Sequence, residues 1–257
     1  MQLDAERLAS KVPAVTLGFW IIKILATTLG ETGGDTLSMT FDLGYLVSTA
    51  IFLALLVALV AAQIAARRFV PLLYWATIIA STTAGTTMAD FATRSLGIGY
   101  AGGSALLLAL VLASLAAWYA ALGSISVASV HEPRAELFYW TTITISQTLG
   151  TALGDWMADD GGFGYLGAAA VFGAGLALLV ALYALTRTSR VLLFWAAFIL
   201  TRPLGAAVGD FLDKPLDHGG LDLSRPIASA VLGAVIVLLI LILPQRAAPA
   251  GVTPASA

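Results

Sequence analysis

The chain has 257 residues, a formal net charge of −2, 59% hydrophobic residues and only 11% charged residues. Soluble domains carry about 25% charged residues, so this composition excludes an ordinary water-soluble fold and favours a membrane protein whose main partner is the lipid bilayer. The absence of cysteine excludes disulfides and thiolate metal sites, and the small net charge gives no reason to expect a nucleic-acid partner.

Eight apolar segments follow one another along the chain, separated by charged residues and helix breakers. Backbone groups in lipid must be satisfied internally, so apolar segments of this length predict transmembrane helices. The segments are 13–34, 45–66, 72–91, 100–121, 137–157, 165–186, 191–211 and 226–244. The sequence therefore predicts an all-α membrane protein with one transmembrane domain, 1–257, in which residues 245–257, rich in Ala and Pro, form a disordered cytoplasmic tail.

Basic residues are distributed unevenly between the two sides of the predicted membrane domain. One side carries eight of them, and the other carries three. The first set is Arg7, Lys11, Arg67, Arg68, Arg134, Arg187, Arg190 and Arg246, and the second is Arg94, Lys214 and Arg225. By the positive-inside rule we expect both termini in the cytoplasm, with the protein in a bacterial inner membrane.

A motif recurs in each odd-numbered segment: a Trp, a Gly ten residues later, a small residue four further on, and then an Asp. The tryptophans are Trp20, Trp75, Trp140 and Trp195, and the carboxylates are Asp35, Asp90, Asp155 and Asp210. The small-residue pairs are Gly30 and Gly34, Gly85 and Ala89, Gly150 and Gly154, and Gly205 and Gly209. The motif defines four two-helix repeats, 13–66, 72–121, 137–186 and 191–244.

In these repeats the sequence resembles a bacterial membrane-protein family that has four tandem two-helix repeats, each with a characteristic Trp. That family is catalogued as uncharacterised, so the resemblance implies an architecture but no activity. The fourth copy departs from the pattern, because Gly220 stands where the other three copies have Tyr.

The repeated positions suggest distinct roles. The tryptophans fit an aromatic belt at the membrane interface, with direct substrate contact as the alternative. The small-residue pairs allow helix backbones to approach closely in lipid, so we expect them to serve helix packing. A two-helix repeat returns the chain to its starting side, which places all four odd helices in the same direction, with each Asp about 22 Å from its Trp.

Polar residues precede each Asp at intervals of four and therefore share a helix face. The even helices lack such a stripe, so we expect a pseudo-fourfold inner bundle of odd helices around a polar pathway, with the even helices outside. The stripe residues that we assign to the pathway, besides the four aspartates, are Thr27, Glu31, Thr82, Thr86, Gln147 and Thr151. Ionisable residues at membrane depth usually mark an ion or substrate route, although these carboxylates can also be purely architectural.

Two cationic residues break the repetition, since Lys23 occurs only in the first copy and Arg202 only in the fourth. Buried charges must be paired, so these residues either neutralise the carboxylates or form an ion pair that opens during transport.

No nucleophile–base pair, phosphate loop or cofactor motif is present, so we expect neither an enzyme nor a cofactor. Carboxylates with Thr hydroxyls and Gln147 form an all-oxygen environment that suits hard cations such as Mg²⁺ or Mn²⁺. The leading hypothesis is a gradient-driven transporter or exporter of a small cation, for which a proton can be the counter-ion. The alternatives are a non-transporting membrane scaffold, a small-molecule sensor, and a transporter of a small anion that pairs with Lys23 and Arg202. Oligomeric state and metal identity are left open.

Overall fold

A computed structural model describes residues 10–249, and this part of the chain is helical, without β-strands. Eight long helices account for most of it. They are α1 (Leu17–Asp35), α2 (Gly44–Ala65), α3 (Pro71–Asp90), α4 (Tyr100–Leu122), α5 (Pro133–Asp155), α6 (Gly164–Leu185), α7 (Arg190–Asp213) and α8 (Arg225–Ile242). Arg7 and residues 250–257, part of the predicted tail, lie outside the described residues.

Local sequence signals explain where several helices begin. The Thr16 hydroxyl accepts a hydrogen bond from the Phe19 amide, and the Ser189 hydroxyl accepts one from the Leu192 amide. Pro71 and Pro133 occupy the first turns of α3 and α5, where a missing N–H costs nothing. The first predicted span was too long at its start, because the chain is not helical before Leu17.

Five of the helices, α2, α4, α6, α7 and α8, are long and apolar enough to cross a membrane. In the even helices only 11–17% of the span residues are buried inside the protein, whereas in α7 the share is 56%. Helices α1, α3 and α5 have 19, 20 and 23 residues, and most of their buried side chains are polar, small or aromatic. Their lower hydropathy thus follows from a location inside the bundle.

The odd helices contact one another in a closed ring, in which α1 packs on α3, α3 on α5, α5 on α7, and α7 on α1. Each even helix packs mainly on the odd helix of the following repeat, as α2 does on α3, and α8 closes the set by packing on α1. Since the principal contacts join different repeats, one repeat alone cannot bury its own apolar surface.

Glycines allow the close approach within this ring. A Cβ atom added to Gly85 would lie 2.9 Å from backbone atoms of Gln147 and Thr148, closer than any real side chain permits. The same relation holds around the ring, with Gly30 facing Thr82, Gly85 facing Gln147, Gly150 facing Arg202, and Gly205 facing Thr27. A glycine of one repeat therefore meets the residue eight positions before the Asp of the next.

Both ends of the described chain lie at the same end of the bundle. Pro13 and Ala247 form an isolated antiparallel bridge. The Ala14 amide donates to the Arg246 carbonyl, and the Ala248 amide donates to the Val12 carbonyl, each at 2.8 Å. The prediction of disorder from residue 245 onward was wrong for 245–249, because these backbone bonds hold that segment against the start of the chain.

Candidate functional site

The four repeated aspartates are buried at one end of the inner bundle, which we call the acidic end. Each ends an inner helix or lies in its last turn, and each is only 1–2% exposed. After Asp35, Asp90 and Asp155 the backbone widens into one π-helical turn, formed by Thr36–Thr40, Phe91–Ser95 and Trp156–Asp160. In the fourth copy the α-helix continues instead to Asp213. The four carboxylates therefore converge, but the fourth comes from a different backbone.

Two cationic side chains bridge these carboxylates in pairs. Arg94 contacts Asp90 at 2.9 Å and Asp155 at 3.3 Å. Lys214 contacts Asp210 at 3.1 Å and donates a short hydrogen bond to Asp35. Each cation lies four residues after the Asp of its own repeat and reaches the Asp of a neighbouring repeat. Copies two and four thus supply the cations, and copies three and one supply the second carboxylates.

A loop specific to the fourth copy holds Lys214 in place. The Lys214 carbonyl accepts a hydrogen bond from the Asp222 amide at 2.9 Å. A Cβ atom at Gly220 would overlap this same carbonyl. Gly220 therefore replaces the Tyr of the other copies because no side chain fits there. Within the described residues, Arg225 extends the cluster, lying 3.5 Å from Asp213 and 3.8 Å from Asp35.

One turn deeper, Glu31 and Arg202 form a fully buried ion pair. The Arg202 Nη2 atom lies 2.9 Å from a carboxylate oxygen of Glu31 and also contacts the hydroxyls of Thr86 and Thr151. These three partners occupy the equivalent position, four before the Asp, in the first three copies. The Arg202 backbone lies one helical turn further from the acidic end, and its side chain extends toward these three partners. The sequence hypothesis that Arg202 pairs with a carboxylate of the bundle agrees with this contact.

The carboxylates are close enough together to share a cation. Glu31, Asp155 and Asp210 each place one oxygen within 4.8 Å of the other two, and Glu31, Asp35 and Asp90 do the same. Oxygens grouped within this distance can bind one metal ion after small side-chain movements. Glu31 belongs to both groups, so it is the common point of the two halves of the cluster. A third group joins Asp35, Asp210 and Asp213.

Lys23 does not take part in this cluster. Its ammonium group is fully buried and lies 4.2 Å from the centre of the Phe198 ring. It has no hydrogen-bond partner among residues 10–249. The idea that Lys23 pairs with the acidic residues is therefore wrong, because two helical turns separate it from Glu31 and an aromatic ring covers it instead.

The other predicted pathway residues divide into two groups. The Thr27 hydroxyl lies 2.8 Å from the Ile24 carbonyl and 3.2 Å from the Thr201 carbonyl, so backbone groups already occupy it. Thr82 and Gln147 are fully buried, and their side-chain polar atoms have no partner within the described chain. Thr27 therefore serves packing, whereas Thr82 and Gln147 have unused hydrogen-bonding capacity.

The opposite end of the inner bundle, which we call the aromatic end, is closed by rings. The hydroxyls of Tyr74 and Tyr139 share a hydrogen bond of 2.6 Å, and the rings of Phe19 and Phe194 lie 6.2 Å apart. These four residues are equivalent in the repeats, each directly preceding the repeated Trp. The four rings form an apolar layer with one polar bond through it.

The prediction that the repeated tryptophans are interface anchors was wrong for three of them. Trp75, Trp140 and Trp195 are only 1–3% exposed, and only Trp20 is partly accessible. The Trp75 indole N–H donates to the Gln245 side chain, and that of Trp195 donates to the Ile125 carbonyl. They are buried because neighbouring rings and the connecting segments cover them, so they belong to the core of the aromatic end.

Sequence reasoning missed several charged residues that the fold brings into contact. Arg94, Lys214 and Arg225 were counted only as charges on one side of the membrane domain, and Asp213 was not assigned a role, yet all four complete the acidic end. The spacing of four between Asp90 and Arg94, and between Asp210 and Lys214, was a usable signal for an ion pair. At the other end, Lys11 forms a buried 2.6 Å pair with Glu136, a contact across 125 residues that no local pattern indicates.

Four consecutive segments of the chain match the profile of the family described as Repeat of Unknown Function (DUF347), namely residues 18–69, 73–123, 138–189 and 193–246. Each match spans one odd helix and the even helix that follows it. No curated protein matches the chain, and no solved structure does.

Proposed function

We propose that this chain, which belongs to the DUF347 repeat family, is a gradient-driven transporter of a small hard cation, with Mn²⁺ and Mg²⁺ as the first candidates. In this proposal all eight helices cross the membrane with pseudo-fourfold symmetry, and the inner helices line the pathway. The positive-inside bias would place both termini in the cytoplasm of a bacterial cell. The bridge between Pro13 and Ala247 supports a common side for the two ends.

The observation that carries the proposal is the imbalance of charge in the acidic end. Six buried or nearly buried carboxylates, from Glu31, Asp35, Asp90, Asp155, Asp210 and Asp213, face four cationic groups, from Arg94, Arg202, Lys214 and Arg225. The cluster has a formal excess of two negative charges. An uncompensated charge is costly away from water, so the excess calls for a bound divalent cation or for protons.

The ligand chemistry favours a hard ion. Every candidate ligand atom at the acidic end is a carboxylate or hydroxyl oxygen, the type that Mg²⁺ and Mn²⁺ prefer. Protons can occupy the same carboxylates when the metal leaves, which would couple metal movement to an opposing proton gradient.

In this proposal the cluster is closed toward both sides of the membrane. Arg94 and Lys214 bridge the carboxylates on one side, and the layer of Phe19, Tyr74, Tyr139 and Phe194 covers the other. We interpret these as two gates that open at different times, the arrangement that alternating access needs. Arg202, which the sequence suggested as a gate, would then be part of the binding layer between them.

The proposal is tested by ion flux in proteoliposomes that contain the purified protein. The screen covers Mn²⁺, Mg²⁺, K⁺, Na⁺ and small anions, with an imposed proton gradient and with membrane potential set separately. We expect entry of a divalent cation that stops when the gradient is collapsed. Absence of cation flux under every condition would contradict the proposal. Divalent binding without flux would support a sensor instead.

Variants of the cluster separate transport from architecture. Asp155→Asn and Asp210→Asn remove charge at nearly constant shape, and Asp160→Asn, an exposed carboxylate at the same end, is the matched control. We expect divalent flux to fall by about tenfold or more in the first two, since even groups that only support metal ligands cost that much. Unchanged flux with lowered stability would assign these aspartates to architecture.

A further inference from the structure

Below the acidic end lies a group of buried polar side chains, of which the cation proposal uses only Arg202. We call Lys23, Thr82, Gln147 and Arg202 the donor layer. Thr82, Gln147 and Arg202 are equivalent residues, eight positions before the Asp in copies two to four, and Lys23 lies one turn below the equivalent Thr27. The closed ring of inner helices places them at neighbouring depths. All four side chains are fully buried.

Each member has polar atoms without a partner among the described residues. These atoms are Lys23 Nζ, Thr82 Oγ1, Gln147 Nε2 and Oε1, and Arg202 Nε and Nη1. A buried polar group without a hydrogen bond destabilises the folded protein, and an unpaired charged group does so more strongly. Most Thr and Ser hydroxyls elsewhere on the inner helices bond to backbone carbonyls, as Ser81 and Thr148 do. The donor layer is therefore one of two places on the inner helices where such atoms cluster, the other being the carboxylates of the acidic end.

The unsatisfied atoms of the donor layer are mainly hydrogen-bond donors. An ammonium group, two guanidinium nitrogens and an amide nitrogen all carry protons, and only the Gln147 and Thr82 oxygens can accept. Arg202 has Glu31 as its counter-charge, whereas Lys23 has no ion pair within residues 10–249. Water can accept hydrogen bonds from these donors, but it brings no charge and leaves Lys23 without a counter-charge. An anion accepts the same hydrogen bonds and also supplies that charge.

The room in this layer is small. Gly30 meets Thr82, Gly85 meets Gln147 and Gly150 meets Arg202 so closely that added Cβ atoms would overlap them. The Phe198 ring covers Lys23 from one side at 4.2 Å. Contacts this close favour a single ion over a polyatomic solute as the occupant of the layer.

We propose that the donor layer is a binding site for a small monovalent anion of about the size of chloride. The anion supplies the counter-charge of Lys23 and accepts from Gln147 and Arg202. This site adjoins the acidic end through Arg202, whose Nη2 atom contacts Glu31, and it does not depend on cation transport. Its role is to hold two cationic side chains inside the bundle without a second carboxylate.

Thermal melting of the purified protein in detergent tests the site. Chloride replaces gluconate at constant ionic strength and pH, without divalent ions. We expect a saturable rise in melting temperature, roughly 5–10 °C at a chloride concentration one hundred times its dissociation constant. Lys23→Met keeps the length of the side chain and removes the ammonium group, so it should abolish this rise. Arg68→Gln, at an exposed position, should keep it.

The outcomes separate the alternatives. A wild-type melting temperature that does not respond to chloride, or an equal response in Lys23→Met, would overturn the proposal. Anomalous scattering from crystals of the wild-type protein grown in bromide provides a test that needs no variant. A bromide peak beside Lys23 Nζ supports the site, and ordered bromide only at the protein surface contradicts it. Asp155→Asn should retain the chloride response even where cation flux is lost, so the two proposals can fail separately.

Discussion

The acidic end and the aromatic end are formed by the same four helices, but they use the repeat differently. At the aromatic end all four copies contribute an equivalent ring, and the one polar contact between these four rings, that of Tyr74 with Tyr139, is neutral. At the acidic end all four copies contribute Asp, but only two contribute the bridging cations Arg94 and Lys214. The four repeats therefore supply every ring of the layer at the aromatic end. At the acidic end they all supply the carboxylate, but only two of them supply the cation that pairs with it.

This difference indicates where the protein can change. A layer of rings has no fixed partners to exchange, so its side chains can re-pack when the helices shift, provided that no gap opens between them. Buried ion pairs have discrete partners, and each must be exchanged for another partner or for an ion. The departures from fourfold repetition, Lys23, Glu31, Arg202 and Lys214, all lie at or below the acidic end. We therefore expect these unrepeated residues to determine which ions can bind inside the bundle.

The largest expected effect concerns Arg202. Arg202→Met removes the partner of Glu31, Thr86 and Thr151 and leaves a buried carboxylate without a counter-charge. Breaking a buried pair on one side typically costs about 3–5 kcal/mol, so we expect a large fall in stability. Melting in detergent, with expression controlled, measures it.

The double variant Arg202→Met with Glu31→Gln provides the control. It removes both charges, so it should recover part of the lost stability. If the double variant is as unstable as the sum of the single ones, the two residues do not act as a pair, and the comparison between the acidic end and the neutral ring layer loses its main support.

An intermediate effect is expected at the glycines that allow the ring to close. Gly150→Ala would place a methyl group against the Arg202 side chain and near Pro203. Overpacking of this kind costs about 1–3 kcal/mol, partly offset by the better helix propensity of Ala. Gly173→Ala in α6 is the matched control, because nothing lies within 4 Å of an added Cβ there, and it should be neutral or stabilising.

The same two variants also test whether close packing at Gly150 matters for transport. Gly150 lies between the acidic end and the donor layer, so Gly150→Ala should also alter divalent flux in proteoliposomes, and Gly173→Ala should not. Equal melting temperatures for the two variants would mean that the inner helices separate without cost at Gly150.

Much of this architecture follows from sequence. The four Trp–Gly–small–Asp motifs predicted the repeat, and the polar stripes predicted which helices face inward, because helical period and hydrophobic pattern are local properties. Glu31 and Arg202 were assigned to the interior from the same stripes, and they meet there. What the local pattern could not supply was the choice of partner across repeats.

The failures have definite causes. Lys23 and Arg202 both lie on the polar face of their helix, at a multiple of four residues before the Asp. Only Arg202 reaches the acidic end, because the Phe198 ring covers Lys23. Arg94 reaches Asp155 from a π-helical turn that no spacing rule indicated. The preference of Trp for membrane interfaces is statistical and does not specify a helix face, so it could not reveal that Trp75, Trp140 and Trp195 are buried.

The smallest effect is expected at the aromatic end. Tyr74→Phe removes one partner of the 2.6 Å hydrogen bond and leaves the buried Tyr139 hydroxyl unsatisfied, at a cost of about 1–2 kcal/mol. Tyr74→Phe with Tyr139→Phe leaves no unsatisfied hydroxyl and should regain most of that stability. Melting in detergent measures both, and flux measures whether the layer is a gate. A doubly substituted layer lacks its only internal polar bond, so we expect it to part more easily and divalent flux to rise modestly. Unchanged flux in a stable double variant would mean that this layer is permanent packing, and the movable part of the bundle would then be confined to the acidic end.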